Sequence, residues 1–462
     1  MNEYLGRLTK HVCSKLRVLG FSFPTPSVMR ALLDTAYIAS IKTEESRFVR
    51  GSLTYSDPKA PELDPPILRR ANYPSFTAFG RRTPLDASAL VKLSRAVDRW
   101  SGSIAIFGTK RSDLFVWGVV DQLVQQNIRL NLEASSGFSA PGVVTVNIDG
   151  VGDISVYHGN LFLGRLRQNQ VIIRESDVLH SDIIARRIIP ALAPAAMSIA
   201  LALDTADESH NKVDLLFGAW ADTVARICIG LRRLGTGGSL LITPTPIANM
   251  LDIVHRFRYR RLGDATILNV LDDEYFSMVE WGDSDVLQHA RELGWAQTDA
   301  EDRANELTGA VKVVTSLAAA DGLVLMDSSL VVVGFGVKIK GGGTVNTVYD
   351  GQNFVRRGTR ATKINMTRFG TRHGSMLRYC QADRNAIGVV VSQDGHTRLI
   401  ASAGRSLALW ENVKLLGYQH NVGMYARESR QRQVRRSKFR GRRSLGYTSM
   451  PKTIRALLAY GK

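Results

Sequence analysis

Gly370-Thr-Arg-His-Gly-Ser375 is the stretch of this chain whose side chains most directly invite chemistry. A hydroxyl, a guanidinium and an imidazole in consecutive positions between glycines can converge on phosphate oxygens. Backbone N–H groups beside glycine can add an anion nest. Arg356, Arg357, Arg360, Lys363 and Arg368 raise the positive potential just upstream. The same residues also read as a solvated basic loop ahead of a helix that Ser375 caps. Asp321-Gly322 leads into an apolar run. Its carboxylate serves either a local turn bond or, held at a strand edge, a metal ion or a hydroxyl proton. Gly235-Thr-Gly-Gly-Ser239 joins a helix to a strand, the reverse of a Rossmann or P-loop order. The dinucleotide and Walker readings therefore fail, leaving a C-cap and turn.

The chain's charge has an uneven home. Its 462 residues carry 60 Lys and Arg against 42 Asp and Glu, a net charge of +18. Twelve of the basic residues and a single acid, Glu428, lie between Arg427 and Lys462. Arg435, Arg436, Lys438, Arg440, Arg442 and Arg443, with Phe439 among them, can neutralise nucleic-acid phosphates without reading sequence. A solvated extension and an anionic-membrane contact fit the same run. Cys13, Cys228 and Cys380 are far apart and the nine histidines show no HExxH spacing. That argues against a disulfide framework and a dedicated zinc site, and for a reducing, cytoplasmic setting.

The elements that must position these groups begin after a mixed N-terminal stretch. Apolar residues make up 44% and charged residues 22%, the balance of a globular chain with enough material for packed cores. From 102 to 173 the period approaches two, with strands over 103–107, 114–120, 143–148 and 154–157 and a hairpin at His158-Gly-Asn160. Leu216, Trp220, Val224, Ile227 and Leu231 place one apolar face on a helix from about Lys212 to Leu234, followed by a buried strand Ser239–Thr243. Thr298-Asp-Ala-Glu301 has capping-box spacing for a later helix, which ends at Asp321-Gly322. Strands then follow around Asp327-Ser-Ser329 and Gln393-Asp-Gly395. The apolar run 188–203 contains Pro190 and Pro194 and is shorter than the roughly 20 residues of a membrane span. It is expected as a buried helix broken by proline, with no membrane span. The expected class is α/β (α+β). Residues 1–100 form a helical and loop region, 101–205 a β-rich module plus helix, 206–420 a mixed-sheet domain with flanking helices, and 421–462 a basic tail.

The order of elements from about 212 to 420 resembles the diadenylate cyclase domain of the DNA-integrity scanning proteins. The resemblance rests on Gly237-Gly-Ser-Leu-Leu-Ile-Thr243, Asp321-Gly-Leu323, Gly370-Thr-Arg-His373 and Ala386-Ile-Gly-Val-Val-Val-Ser-Gln393. It implies that Asp321 and Gly322 lie at the nucleotide, with Asp321 binding Mg²⁺ or Mn²⁺ and activating a 3′-hydroxyl. It further implies that Gly370, Thr371, Arg372, His373 and Ser392 hold nucleotide phosphates, and that two ATP-loaded domains meet face to face. Two departures stand out. Gly374 replaces a second arginine, and Leu323 replaces a small alanine. With a fixed charge missing where phosphate charge develops, the chain is more similar to the cyclase-related sensor domains, including the DACNV group. Those carry a long region ahead of the cyclase-like core. The resemblance thus implies a sensor that binds a cyclic di- or oligonucleotide. An active cyclase making cyclic di-AMP from ATP stands as the alternative, and a nucleic-acid-binding protein acting through its tail as the third reading.

Overall fold

The computed structural model describes residues 2–415 except 45–46, 60–74, 99–100, 122–142, 160, 168, 204–208, 281–285, 342, 346, 355–361, 367–368, 394 and 405. The chain divides into two compact units, Met1–Glu175 and Ser176–Lys462. Both mix helices with sheets, so the expected α/β (α+β) class holds.

In the first unit, α1 (Asn2–Val18) and α2 (Pro26–Ser40) are amphipathic helices. Leu5, Leu8, Val12 and Leu16 on one, and Val28, Leu32 and Ala36 on the other, are buried. Pro26 opens α2, and Thr25 Oγ1 accepts from the Val28 N–H at 3.4 Å, satisfying an otherwise orphaned donor. A two-residue pair, β1 (Thr43–Glu44) with β2 (Arg47–Phe48), precedes the main sheet. That sheet has eight strands: β3 (Gly51–Tyr55), β4 (Ser75–Pro84), β5 (Gly102–Phe107), β6 (Phe115–Asp121), β7 (Val144–Gly150), β8 (Asp153–His158), β9 (Leu161–Arg167) and β10 (Gln170–Ile172). Their order is β10-β9-β8-β7-β3-β5-β6-β4, antiparallel except where β3 runs parallel to β5. A short helix α3 (Ala87–Leu93), capped by Asp86 on the Ala89 N–H at 2.7 Å, joins α1 and α2 over one face. The β-rich expectation and its hairpin are met by β5–β10. The boundary expected at residue 100 falls inside this sheet, because β3 pairs with both β5 and β7.

The second unit begins with α4 (Asp182–Ala202), a continuous helix with Pro190 and Pro194 inside it, not one broken by them. By length and mean hydropathy (1.4) α4 is apolar enough to cross a membrane, and Ile184, Ile188, Ile189, Leu192 and Ile199 are buried in this unit's core. Helix α4 thus packs with the second unit, 30 residues ahead of the boundary expected at 205. Three helices follow: α5 (Ser209–Leu234), α6 (Arg261–Glu280) and α7 (Val286–Ala319). The expected face of Leu216, Trp220, Val224, Ile227 and Leu231 on α5 is fully buried. The expected capping box at Thr298 is instead the middle of α7. Its hydroxyl donates to the Gly294 carbonyl at 2.9 Å within the helix, so no helix starts there.

The second sheet comprises β11 (Gly238–Ile242), β12 (Leu251–Tyr259), β13 (Leu323–Met326), β14 (Val332–Ile339), β15 (Val348–Asp350), β16 (Ile387–Val391), β17 (Thr397–Ala403) and β18 (Ser406–Trp410). Their order is β12-β14-β13-β11-β16-β17-β18-β15, with β11 parallel to β13 and β15 parallel to β18. Two further helices, the single turn α8 (Gly351–Phe354) and α9 (Thr371–Ala382), complete the unit. Alternate residues sort the sheet's two faces. Leu240, Ile242, Val324, Val389 and Leu399 meet helices α4–α7. Leu241, Leu325, Val390 and Ile400 meet Met376, Leu377, Tyr379 and Cys380 of α9. The sheet is sandwiched between helical layers, which leaves its strand ends and its outer strands β12 and β15 uncovered by them.

Candidate functional site

Most of the predicted site residues gather at one end of the second sheet. Leu240 pairs with Val324 in the parallel β11–β13 ladder. Extending that register backwards sets Gly238 opposite Gly322 and Gly237 opposite Asp321, neighbouring strands being about 4.8 Å apart. On the other side of β11, Gly238 pairs with Val391, so Ser392 leaves the sheet at the same end. Gly322 has φ +97°, and a Cβ there would sit 2.6 Å from the Gly336 carbonyl carbon. Glycine is required, and it lets β13 enter tight against β14 while Asp321 stays exposed at the mouth. Asp321 makes no hydrogen bond or ion pair among the described residues.

The Thr-Arg-His segment forms the first turn of α9, and Gly370 is the extended residue before it. Ser375, expected as the cap, lies inside the helix and donates to the Arg372 carbonyl at 3.1 Å. The first-turn N–H groups of a helix are free of intrahelical partners and carry the positive end of its dipole. Thr371 and Arg372 are exposed. The Arg372 Nη1 lies 3.2 Å from where a Cβ on Gly237 would be, beside the Val391 carbonyl and the Gln393 N–H. Gly237, at φ +67°, thus keeps the start of β11 clear for this guanidinium. Ser392 supplies its hydroxyl to the β16–β17 turn, accepting from the His396 N–H at 3.1 Å.

His373 faces inward. It is 8% exposed, its ring stacks on Phe369 at 5.2 Å, and its Nε2 lies 3.1 Å from Arg398 Nη1. A guanidinium has only donors, so Nε2 accepts and the ring is neutral. Burial, then the Arg398 charge and that of Arg372, bring His373 down to about 4. Arg398 in turn bonds Glu411 at 3.1 Å and lies over the Phe369 ring. His373 is therefore tied to a strand cation and does not stand open beside Arg372. Gly374 lacks the fixed charge of a second arginine, yet Arg378 Nη1 lies 3.7 Å from its would-be Cβ. One helical turn later in sequence, a guanidinium occupies the neighbouring space.

Glu411 also lines a cleft of about 240 Å³ with Asp350, Thr362, Lys363, Ile364 and Asn365. Sequence reasoning named Lys363 and missed Arg378, Arg398, Glu411 and the rest of the cleft. Only Arg398, a lone arginine in the apolar return strand, offered a signal. Among the described residues no three His, Cys, Asp or Glu side chains gather as a metal cage. An Mg²⁺ or Mn²⁺ ion fits here only as such ions bind with nucleotides, on one carboxylate (Asp321) and on phosphate oxygens. Arg356, Arg357, Arg360 and Arg368 lie outside the described residues, as do the six tail residues Arg435, Arg436, Lys438, Arg440, Arg442 and Arg443.

Residues 21–121 match a family model described as a probable sensor domain, DACNV. The match falls on the first unit, from α2 through β6. It therefore lies in the long region ahead of the 206–420 segment that carried the resemblance in sequence. It is consistent with a sensor role for the protein. No curated protein and no solved structure matches the chain.

Proposed function

We propose that this is a sensor protein whose second unit binds a nucleotide at the open end of its sheet, with a cyclic di- or oligonucleotide as the signal. The observation that carries the reading is the Arg372 guanidinium laid over Gly237, at a helix N-terminus and one strand from Asp321. Phosphate oxygens accept from Arg372 and from the free N–H groups of the first turn of α9, and the Thr371 hydroxyl adds a donor. His373 acts as a positioning residue: neutral and buried, it holds Arg398 in place. The DACNV match in the first unit supports a sensing role for the chain as a whole.

Equilibrium dialysis of the full chain against ATP, cyclic di-AMP, cyclic di-GMP and linear dinucleotides tests the reading. At least one binds, and Arg372→Ala weakens it by about 10- to 100-fold, the value of a charge-assisted hydrogen bond. Absence of affinity for every adenine and guanine nucleotide overturns it.

A second reading has its own observation. Asp321 is exposed one strand away from the same guanidinium, and Arg378 stands next to Gly374. In a diadenylate cyclase, each 3′-oxygen would bond to the other ATP's α-phosphorus, pyrophosphate would leave, and the hydroxyl proton would pass to a base such as Asp321. A divalent ion held by Asp321 and the phosphates would neutralise charge on the transferring group. That chemistry needs two copies of the chain face to face. Incubation with ATP and Mg²⁺ or Mn²⁺, read by mass spectrometry with Asp321→Asn as control, separates the readings. Cyclic di-AMP that vanishes in the variant retires the sensing-only reading. Binding without product upholds it.

A further inference from the structure

The edge strand β12 carries a feature that the nucleotide site does not use. It pairs only with β14, so among the described residues its other side presents an unpaired backbone row. Its sequence there, His255-Arg-Phe-Arg-Tyr-Arg-Arg261, alternates rings with guanidiniums. Residues 254–258 and Arg260 are exposed, with Val254 at 55% and Phe257 at 36%. The rings form a connected set. His255 stacks on Phe335 at 4.5 Å, Phe257 meets Phe335 edge-on at 5.6 Å, and Phe257 lies 6.4 Å from Tyr259. Side chains alternate sides along a strand, which sets Arg256 and Arg258 across the edge from His255 and Phe257. The register shifts between Arg256 and Tyr259, turning the end of the strand. Arg261 lies 3.5 Å from Glu306, while the side chains of Arg256, Arg258 and Arg260 make no ion pair or hydrogen bond among the described residues.

Charges on an edge strand guard it against pairing with other strands, and that alone would account for the arginines. It does not account for the exposed rings of His255 and Phe257 beside them, which cost solubility and invite association. A ring on one side of an edge and a cation on the other match a ligand with flat bases on one side and phosphates on the other. Sequence-tolerant binding of single strands combines these two elements, stacked bases and a cationic track.

We propose that β12 binds single-stranded nucleic acid, with bases stacked on His255, Phe257 and Tyr259 and phosphates met by Arg256, Arg258 and Arg260. The surface is distant in sequence from the basic tail and does not depend on the nucleotide site. Fluorescence anisotropy of labelled oligo-dT and oligo-rU 20-mers with the full chain, at 50 and 200 mM salt, provides the test. Three full-chain variants accompany it: Phe257→Ala, Arg256→Glu with Arg258→Glu, and Arg435→Glu with Arg436→Glu in the tail. The strand variants substitute exposed residues, and circular dichroism checks the folding of all three.

Phe257→Ala is expected to weaken binding by about tenfold at both salts, since stacking is insensitive to screening. The double arginine variant is expected to weaken it and to flatten the slope of log affinity against log salt by about 1.4, for two lost phosphate contacts. Affinity unchanged in both strand variants and lost in the tail variant overturns the proposal in favour of the tail. So does a poly-glutamate peptide that competes with the oligonucleotide in wild type and in Phe257→Ala alike, which marks a surface reading charge alone. Light scattering that finds a wild-type dimer abolished by Phe257→Ala, with no oligonucleotide bound, overturns it in favour of self-association.

Discussion

The two units each build an eight-stranded mixed sheet, yet they bury different things on it. The second sheet is apolar on both faces. The first is apolar toward α1–α3, where Leu53, Ile104, Val146, Val156 and Leu166 pack, and on its other face only around Ala105, Trp117 and Val120. Its opposite face carries Ser52, Thr54, Ser103, Thr145, Asn147, Ser155, Arg165 and Arg167, all under 9% exposed. The cross-strand partners Ser52 and Asn147, Asn147 and Ser155, then Ser155 and Arg165 run this polar row from β3 to β9. Arg165 forks onto both oxygens of Asp153, and Arg167 also reaches that carboxylate at 2.8 Å. Both amide atoms of Asn147 and the Ser52 hydroxyl are buried without a partner among the described residues. The second sheet buries fewer polar side chains, Ser239, Thr397 and Ser402, and its interior is apolar. Each orphaned group in the first sheet costs its desolvation.

Four measurements break or sharpen that contrast. The largest effect is expected from Arg165→Ala, which leaves the buried Asp153 with Arg167 alone and should cost about 3–5 kcal/mol in urea unfolding. Its pH dependence has a defined sign. Burial pushes the Asp153 carboxyl up, but Arg165 and then Arg167 pull it well below the ordinary carboxylate range. A depressed carboxylate stabilises the fold above its unfolded value of 3.8 and loses that stability as pH falls toward its folded value. The wild type should therefore weaken below about pH 4 by more than Arg165→Ala does. A variant as acid-sensitive as the wild type would remove the network from the account.

Leu325→Ala, in the centre of the second sheet and fully buried, should cost about 2–5 kcal/mol by opening a cavity. A loss below about 1 kcal/mol would mean that the apolar interior collapses easily around it. Asn147→Leu runs the other way. Removing an unpaired amide of similar volume should raise stability by about 1–3 kcal/mol, and a loss instead would reveal a partner for Asn147 beyond the described residues. The smallest effect concerns His373. Held near 4, its ring should show no chemical-shift titration in NMR between pH 5 and 8. Its folded value lies below the unfolded 6.5, so its stability contribution is complete above about 6.5 and falls away toward 4. A midpoint near 6.5 would place the imidazole in the open beside Arg372.

Much of the second unit could be read in the residues, because its elements bury apolar faces with clean periods. Helix α5 and strand β11 fall where their spacing puts them. Strand β3 was not legible, since Gly51-Ser-Leu-Thr-Tyr55 turns a single leucine to the apolar core and its Ser and Thr to the polar face. Strand β12 was missed for a related reason, its charged and aromatic edge lacking an apolar alternation. Thr298 and Glu301 mimicked a helix start because both residues are also at ease on an exposed helix surface. At the site, Asp321, Gly322 and the Thr-Arg-His segment stood out in sequence, and the register gathers their backbones at one sheet end. The inward turn of His373 did not stand out, because Arg398 and Glu411 come from other strands and no local spacing announces them.

The place of β3 in its sheet has a consequence for how the protein is made. Gly51–Tyr55 sits between β5 and β7, and its antiparallel partner Val144–Gly150 comes about 90 residues later in the chain. At about 5–20 residues per second, the ribosome delivers that partner roughly 5–20 s after β3 has emerged. For that interval the middle of the future sheet is an open edge, and its closure over so long a loop makes it a slow step. The amino-terminal half of this protein therefore waits on its own synthesis, and the nascent chain is most exposed to mispairing before residue 150 appears.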